Sequence, residues 1–184
     1  VSKKDLLERS GASTTIFNGL VDKGIFEVYY QEIGRLNKSD VATFELNPLN
    51  PSQQGAFSAI LENFQQKNVC LLHGVTSSGK TEIYIHLIQE ALKQGKQVLY
   101  LLPEIALTTQ ITERLKRVFG KRLGVYHSKF PDTERVEIWK KQLGNEEYDV
   151  ILGVRSSIFL PFKRLGLVIV DEEHENTYKQ QDPA

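Results

Sequence analysis

From residue 51 onwards, short apolar runs alternate with stretches in which apolar residues recur at helical spacing. The runs are too short for helices and show little polar alternation, which indicates strands with both faces covered, as in a parallel sheet. They are NVCLLH, QVLYLL, RLGVYH, DVILGV and LGLVIV. The stretches between them predict helices, so residues 51–184 are predicted to form a three-layer α/β domain.

Capping signals and apolar spacing locate the helices of this domain. Asn50 followed by Pro51 predicts a helix start, because proline suits the first helical position after an N-cap. A second helix is predicted from Lys80 to Gln94, with Gly95 as its stop. Apolar residues at helical spacing predict two further helices. The first carries Ile111, Leu115, Val118 and Phe119, and the second carries Val136, Trp139 and Leu143.

The sequence of residues 1–35 predicts a small structural unit that is separate from the α/β domain. Ser2 and Ser13 are candidate caps of two helices, Gly11 lies between them, and IFEVYYQEI predicts a strand. Helix, turn, helix and strand in this order outline a winged-helix-like α+β unit. The unit could contact DNA or act as a spacer or docking module, and its five basic and five acidic residues do not favour phosphate binding. Residues 36–50 are polar and irregular, and they predict a linker.

The whole chain has 23 basic and 23 acidic residues among 184, so any nucleic-acid site has to be local. No apolar run approaches the ~20 residues that span a bilayer. The single cysteine, Cys70, excludes an internal disulfide or a cysteine-based zinc site. We therefore expect a cytoplasmic protein with no membrane association. Because the chain begins at Val1 and contains no methionine, we expect it to be part of a longer polypeptide.

A phosphate-binding loop is predicted between the first strand and the helix that follows it. GVTSSGKT fits the pattern G-x-x-x-x-G-K-[ST] in a strand–loop–helix context, and the alternative is a chance glycine-rich turn. Backbone N–H groups of such a loop and the helix N-terminus bind phosphate oxygens, while the hydroxyl is offered to Mg²⁺. ATP and Mg²⁺ are therefore the predicted ligands of Gly74, Val75, Thr76, Ser77, Ser78, Gly79, Lys80 and Thr81.

The segment VDEEHENTYKQQ begins where the run LGLVIV ends. Asp171 would then lie at the carboxyl end of a buried strand, at the sheet edge where parallel sheets bind ligands. We expect Asp171 to hold Mg²⁺ through water and Glu172 to orient the attacking water, with Lys80 completing the catalytic set. The alternative interpretation is a solvated acidic turn, which is common after strands.

Other polar residues near predicted element ends have two interpretations each. Gln53 lies at a helix start and could read an adenine edge or remain an exposed glutamine. Thr108 and Thr109 could bind a nucleic-acid backbone or cap a helix. The Arg-Ser-Ser run at residues 155–157 could contact DNA, or its arginine could pair with an acid. His127 at a strand end is interpreted as structural.

Several motifs, in this order and spacing, resemble one family. GVTSSGKTEIY, LLPEIALT, YHSKF, GVRSSIFLPFKRLG, VIVDEEH and TYKQQ are similar to the first motor lobe of the PriA-type replication-restart helicases, over roughly residues 47–182. The resemblance implies a RecA-like P-loop domain preceded by a winged helix. It further implies a superfamily 2 DNA helicase that uses ATP and Mg²⁺ to move 3′ to 5′ on single-stranded DNA during replication restart and primosome assembly.

The resemblance also implies residue roles and partners. Gln53 would contact adenine, and His174 would couple the nucleotide site to a second lobe. Tyr178, Lys179 and Gln180 would begin a loop that senses DNA. The partners implied for the parent protein are single-stranded and forked DNA, single-stranded-DNA-binding protein, and primosome or helicase-loading proteins. Together with the residues at element ends described above, the candidate DNA contacts are Thr108, Arg155, Ser156 and Lys179.

Two residues depart from the pattern of the family: Ser77 replaces its usual glycine, and Val154 replaces its usual threonine. A zinc site, a second lobe and its arginine finger are implied only downstream of Ala184. The chain alone is therefore expected to bind nucleotide with little turnover. Two other functions remain open, a non-catalytic DNA- or protein-binding module and a lobe of another superfamily 2 translocase. The intact phosphate-loop lysine and acidic pair favour an enzyme.

Overall fold

A computed structural model describes residues 3–26, 46–75, 78–127 and 130–179, and the chain forms two compact units, residues 1–34 and 35–184. In the first unit, α1 (Lys3–Ser10) and α2 (Thr14–Asp22) confirm the two predicted helices. The hydroxyl of Ser13 accepts a hydrogen bond from the Ile16 N–H and caps α2 as predicted. The strand predicted from residue 25 falls mostly on residues 27–33, outside the described residues.

The second unit alternates helices and strands along the chain. Asn50 begins its first helix through a capping box, in which its side chain accepts from the Gln53 N–H and Gln53 Oε1 accepts from the Asn50 N–H. Residues 36–45 of the predicted linker lie outside the part of the chain that is described. The elements are α3 (Pro51–Asn63), α4 (Lys80–Lys93), β1 (Gln97–Leu101), α5 (Thr109–Phe119), β2 (Leu123–Tyr126), α6 (Asp132–Leu143), β3 (Val150–Gly153) and β4 (Leu165–Val170).

The strands form a four-stranded sheet in the order β2-β3-β1-β4. All neighbouring pairs are parallel, and Tyr100 of β1 is in register with Leu152 of β3 and Ile169 of β4. β1 and β3 are buried along their whole length, as the apolar runs predict. Because parallel strands all end at the same edge, this order brings the residues after β1, β3 and β4 to one side of the unit.

Helices cover both faces of the sheet. On one face, Val98 and Tyr100 pack in a cluster that includes buried residues of α3, α4 and α5. On the other face, Leu99 and Leu101 pack against Ile138 of α6. Alternate residues of β1 therefore serve opposite sides of the sheet, as the period of two in a strand requires. The predicted three-layer α/β architecture is confirmed.

A buried glutamine ties the amino-terminal ends of three strands together. Gln97 is fully buried at the start of β1. Its Nε2 donates to the Tyr148 carbonyl, and its Oε1 accepts from the Lys163 and Arg164 N–H groups. These bonds reach the segments that precede β3 and β4. The glutamine thereby satisfies three backbone groups, of which the Tyr148 carbonyl is in a buried bond and the two N–H groups are in partly buried bonds.

The run NVCLLH, predicted as a strand, has no strand conformation. Its residues pair with no strand of the described sheet, and Val69 and Leu71 are 81 % and 71 % exposed. A cavity of about 1430 Å³ is lined by this segment on one side and by β4 on the other. Strands pair at a spacing of ~4.8 Å, and the cavity keeps the two segments too far apart for a ladder.

β4 is correspondingly less buried than the sequence predicts. It is an edge strand of the described sheet, and its Val168 and Val170 are 47 % and 43 % exposed. The prediction of a strand covered on both faces is wrong here, because these two valines are in register with Leu99 and Leu101, and the hydrophobic cluster on that face includes no residue of β4. Helix α6 is confirmed, but the apolar residues that identified it, Val136, Trp139 and Leu143, are exposed. Within the described ranges, no helix has the length and apolar character that crossing a membrane requires.

Candidate active site

The loop before α4 is closed by a glycine that no other residue could replace without strain. Gly79 is the N-cap of α4, and its φ of +81° lies in the left-handed region. A Cβ added there would lie 2.4 Å from Gln53 Nε2, well inside van der Waals contact. Gly74, at the other end of the loop, is similarly crowded, since its Cβ would lie 2.9 Å from Ser78 Oγ. Thr76 and Ser77 lie outside the described residues.

Lys80 folds back over this loop. Its ammonium Nζ donates to the Gly74 carbonyl at 2.7 Å, and the residue is half-buried. The helix that Lys80 begins has no side-chain N-cap, so its first N–H groups are not satisfied by a capping side chain. A cation and a free helix N-terminus beside a glycine-rich loop favour anionic ligands. Thr81 is half-buried in the same first turn.

Gln53 touches the loop from α3. Its Nε2 donates to the Gly79 carbonyl at 3.3 Å, while its Oε1 is engaged in the capping box. The glutamine is therefore half-buried and held by hydrogen bonds at both ends of its amide, rather than exposed. An adenine contact of this side chain stays a prediction.

Asp171 follows β4 and is fixed by four hydrogen bonds. Its Oδ2 accepts from the Tyr100 hydroxyl at 2.9 Å, and its Oδ1 accepts from the Glu172 N–H at 3.1 Å. Its own N–H donates to the Leu101 carbonyl at 3.0 Å, which extends the β1–β4 pairing by one residue. Its carbonyl accepts from the Tyr178 hydroxyl at 2.9 Å. Both the carboxylate and the backbone of this residue therefore have defined positions.

Glu172 has an unusual backbone conformation. Its φ is +50°, which makes it the one non-glycine residue with a positive φ among those described. A glutamate pays a steric cost in this region because its Cβ approaches the backbone. The turn is held by a hydrogen bond from the Glu175 N–H to the Glu172 carbonyl. Backbone strain of this kind concentrates at functional sites. His174 is 69 % exposed, with its ring nitrogens 3.8 Å from a Glu172 oxygen and 3.9 Å from a Glu173 oxygen.

Three tyrosines near Asp171 have raised pKa values, chiefly because they are buried and secondly because carboxylates lie near them. Burial, and then the charges of Asp171 and Glu172, raise the pKa of Tyr84 to about 12. Burial and the neighbouring Asp171 carboxylate raise the pKa of Tyr100 far above its usual range. The same two causes also raise the pKa of Tyr178. A compact negative charge that disfavours phenolate would in the same way attract a cation.

The cavity beside β4 brings the two predicted motifs together. Its wall includes Gly74, Val75 and Lys80 from the loop, and residues 171–174 from the acidic segment. Gln53 and Thr81 are not among its described lining residues, although both neighbour the loop. The arrangement places a cationic, N–H-rich loop across a cavity from a carboxylate cluster, which is suited to a polyanion and its counter-cation.

A smaller cavity of about 260 Å³ lies at the carboxyl ends of β1 and β3. Arg155 and Ser156 line it together with Pro103, Thr177 and Tyr178. Arg155 is exposed, and the buried Ser156 Oγ has no hydrogen-bond partner among the described residues. Orphaned hydroxyls are uncommon in native proteins, and this residue lines the same cavity as Arg155 and Glu104.

The remaining predicted polar residues are distributed around these cavities. Thr108 is the N-cap of α5 through a hydrogen bond from the Ile111 N–H, so its capping interpretation is supported. Ser157 is fully buried and donates to the Val154 carbonyl, which is a structural role. The half-buried His127 ring lies 6.0 Å from the Phe130 ring. Lys179 is exposed, and Gln180 lies outside the described residues.

Sequence reasoning missed the tyrosines that surround Asp171. Tyr100 is in the middle of QVLYLL, and Tyr84 packs edge-on against it with ring centroids 5.6 Å apart. A hydroxyl-bearing residue in an otherwise aliphatic strand interior was the available signal. A buried tyrosine hydroxyl normally has a hydrogen-bond partner, and here the partner is a predicted catalytic carboxylate.

Comparisons with solved structures bear on the fold. A nuclease-deletion mutant of the Type ISP restriction-modification enzyme LlaGI, solved in complex with a DNA substrate mimic, superposes with a TM-score of 0.57 at 19 % sequence identity. The match covers 72 % of this chain and 16 % of the enzyme. At this identity the likeness concerns the fold alone, and it agrees with the RecA-like three-layer lobe.

Sequence comparisons identify closer relatives. The replication restart protein PriA of Bacillus subtilis strain 168 is 39 % identical over 182 residues, which cover 97 % of this chain and 22 % of the relative. PriA of Haemophilus influenzae is 41 % identical, covering 92 % of the chain and 24 % of the relative. PriA of Helicobacter pylori strain 26695 is 48 % identical, covering 73 % and 21 %. The chain thus spans about a fifth to a quarter of the length of these relatives.

Family models divide the chain in the same way as its fold. Residues 1–33 match the winged helix domain of PriA helicases from Bacteroidota. Residues 50–184 match the DEAD/DEAH box helicase model. The predicted resemblance to the PriA type is confirmed, and the chain belongs to the DEAD/DEAH box helicase family.

Proposed function

We propose that residues 51–184 form the ATP-binding lobe of a DNA helicase that acts in replication restart, and that the parent protein hydrolyses ATP to move 3′ to 5′ along single-stranded DNA. One observation carries this proposal. Lys80 of the glycine-rich loop and the Asp171–Glu172 pair line the same cavity. A lysine, two carboxylates and a helix N-terminus around one space are the groups that phosphoryl transfer from a nucleotide requires.

The residues of the cavity fit Mg²⁺–ATP. The loop is closely packed by side chains at both glycines, since an added Cβ would lie 2.9 Å from Ser78 Oγ at Gly74 and 2.4 Å from Gln53 Nε2 at Gly79. Hydroxyl and carboxylate oxygens suit Mg²⁺, so Thr81 and Asp171 are the residues that would hold it, directly or through water. When bound with the nucleotide, Mg²⁺ neutralises charge on the β- and γ-phosphates.

The protein groups have separate tasks in this proposal. Lys80 exchanges its bond to the Gly74 carbonyl for the outer phosphate oxygens, and the N–H groups of the loop and of α4 bind the inner ones. Asp171 keeps a fixed carboxylate at the cation. Glu172 orients a water molecule and accepts its proton, from a turn in which its own φ is +50°. His174 is proposed to couple this end of the cavity to a second lobe.

The smaller cavity is proposed as a contact for the DNA backbone. Arg155 supplies a cation, and Ser156 supplies a hydroxyl that has no other partner among the described residues. Phosphate contacts of this kind position a nucleic acid without reading its sequence. Thr108 and Lys179 are proposed to extend the same contact. Forked DNA, single-stranded-DNA-binding protein and helicase-loading proteins are proposed partners of the parent protein in the cytoplasm.

Nucleotide binding is tested by calorimetric titration of the chain with ADP and Mg²⁺. We expect measurable binding that Lys80→Ala weakens by at least about tenfold, because a charge-assisted phosphate contact contributes roughly 1.5–3 kcal/mol. Lys93→Ala is the matched control, since Lys93 is an exposed lysine in the last turn of the same helix. Equal ADP affinity of wild type and Lys80→Ala would refute the proposal.

Turnover is tested by phosphate release with and without single-stranded DNA. The chain alone is expected to hydrolyse ATP almost undetectably, because an arginine finger from a second lobe contributes about 10³–10⁵ in rate. In the parent protein, Glu172→Gln should abolish DNA-stimulated hydrolysis and preserve ATP binding. A chain that alone matches the DNA-stimulated rate of the parent would contradict this assignment of the acidic pair.

A further inference from the structure

The hydroxyl of Tyr100 is buried in the central strand of the sheet, and its hydrogen-bond partner is charged. Tyr100 has 0 % exposure, and its neighbours in register on β3 and β4 are Leu152 and Ile169. A phenylalanine would fill this apolar site equally well without bringing a polar atom into it. The hydroxyl donates to Asp171 Oδ2 at 2.9 Å. The central strand β1 therefore carries a buried hydroxyl, and its hydrogen-bond partner among the described residues is the Asp171 carboxylate, which lines the large cavity.

The sense of this hydrogen bond is fixed. A carboxylate only accepts, and the hydroxyl of Tyr100 donates to its Oδ2 at 2.9 Å. The ring has little freedom to move the hydroxyl, since it is part of the close-packed core and meets the Tyr84 ring edge-on at 76°. The phenol is thus a rigid donor at a fixed point.

Asp171 has two side-chain torsions, and the structure restrains both of them. Tyr100 holds Oδ2, and the Glu172 N–H holds Oδ1. A carboxylate offers about four lone-pair directions, so two remain available to a cation or to its water ligands. The N–H of Asp171 is fixed by the Leu101 carbonyl, in the strand that also carries Tyr100. One strand therefore sets both the position and the orientation of this carboxylate.

We infer that Tyr100 is a positioning residue that pre-orients Asp171 for Mg²⁺ and so sets the Mg²⁺ dependence of nucleotide binding. The inference rests on the function proposed above. Groups that hydrogen-bond a metal ligand typically change metal affinity by about 10–100-fold when they are removed. Because Asp171 keeps its Glu172 N–H bond when the phenol is lost, we expect the lower end, about tenfold.

The test compares wild type, Tyr100→Phe and Tyr148→Phe by calorimetric titration of ADP at graded Mg²⁺ concentrations and in EDTA. Tyr148 is the control, since it is also a buried tyrosine but packs in the cluster on the opposite face of the sheet. Tyr100→Phe should raise the Mg²⁺ concentration at half-saturation about tenfold and leave ADP binding in EDTA unchanged. Tyr148→Phe should change neither value.

A merely structural role is excluded by a double-mutant cycle. In an Asp171→Asn background, the added Tyr100→Phe change should shift the Mg²⁺ half-saturation by no more than about twofold, because the interaction it removes is already altered. An undiminished tenfold effect in that background would overturn the inference. So would a Tyr100→Phe protein that fails to fold, since the hydroxyl would then serve the fold itself.

The outcomes separate this inference from the proposed function. Mg²⁺-dependent ADP binding that requires Lys80 but is identical in wild type and Tyr100→Phe would overturn only the role of the tyrosine. A wild-type chain whose ADP binding is absent, or independent of Mg²⁺, would overturn both proposals.

Discussion

Replacing Gly79 by alanine should destabilise the protein through two separable effects. The first is the backbone, because an L-residue in the left-handed region at φ +81° costs about 1–2 kcal/mol. The reduced entropy of the unfolded chain offsets about 0.4–1 kcal/mol of this cost. The second effect is steric, since the new Cβ would lie 2.4 Å from Gln53 Nε2 and would displace that side chain.

The displaced glutamine is not a free surface side chain. Moving it breaks the bond to the Gly79 carbonyl and strains the capping box of α3, in which Gln53 Oε1 accepts from the Asn50 N–H. Loss of such a cap costs about 0.5–2 kcal/mol. The total expected for Gly79→Ala is therefore about 1–3 kcal/mol. An alanine at this position should also hinder phosphate binding at the loop.

Gly95 provides a matched control at the other end of α4. Its φ is +71°, but an added Cβ would meet nothing within 4 Å. Gly95→Ala therefore carries the backbone cost without the steric one, and urea denaturation followed by circular dichroism measures the difference. We expect Gly79→Ala to cost about 1 kcal/mol more than Gly95→Ala, and this excess to vanish when Gln53→Ala is also present. Equal costs, or an excess that persists without the glutamine, would refute the steric argument.

Two further predictions concern buried polar groups. Gln97→Leu should lower the free energy of unfolding by about 2–4 kcal/mol, because it leaves the Tyr148 carbonyl and two N–H groups without partners. Gln94→Leu is the control, because Gln94 is exposed, and it should change this free energy by less than about 0.5 kcal/mol. Urea denaturation measures both values. The raised pKa of Tyr84 means that the folded state holds the phenol proton more tightly than the unfolded state. Its contribution to the free energy of unfolding is therefore complete below pH 10 and is lost as the pH rises to about 12. Urea denaturation across that range should show a shallower decline for Tyr84→Phe, and an identical decline would contradict the raised pKa.

Local signals predicted the elements that depend on local interactions. Asn50 and Pro51 marked the start of α3, because a capping box is formed by residues three apart. The glycine-rich loop predicted α4 in the same way, and the apolar run LGLVIV gave β4 its observed bounds. These features depend on backbone geometry and short-range hydrogen bonds, which a single sequence encodes directly.

Pairing and orientation were harder to predict because they depend on distant residues. NVCLLH has the composition of a strand, but a strand forms only where a neighbour lies within hydrogen-bonding distance. In α6, the fully buried positions include Gln142, whose Oε1 accepts from the Tyr148 N–H. A polar residue on the core side conceals the true face of a helix when only apolar spacing is read.

In the candidate site, too, the local features were predictable from the sequence and the contacts between distant residues were not. The loop and the acidic segment were recognisable as motifs, and the topology of a parallel sheet predicted that they would lie on one side. The link between Tyr100 and Asp171 joins residues 71 positions apart, and no local pattern predicts it. The positive φ of Glu172 was equally hidden, since glutamate is not a residue that favours this conformation.

The exposed edge of β4 has a consequence for how the protein behaves in concentrated solution. Leu165–Val170 is six residues long, contains neither charge nor proline, and has no strand partner on its cavity side among the described residues. Such segments are templates for edge-to-edge aggregation, and charged residues next to them act against it. Here Lys163 and Arg164 precede the strand and residues 171–173 follow it. With an isoelectric point near 7.1, the molecule has almost no net charge at neutral pH to oppose association, so it should remain monodisperse more readily at a pH well away from neutrality.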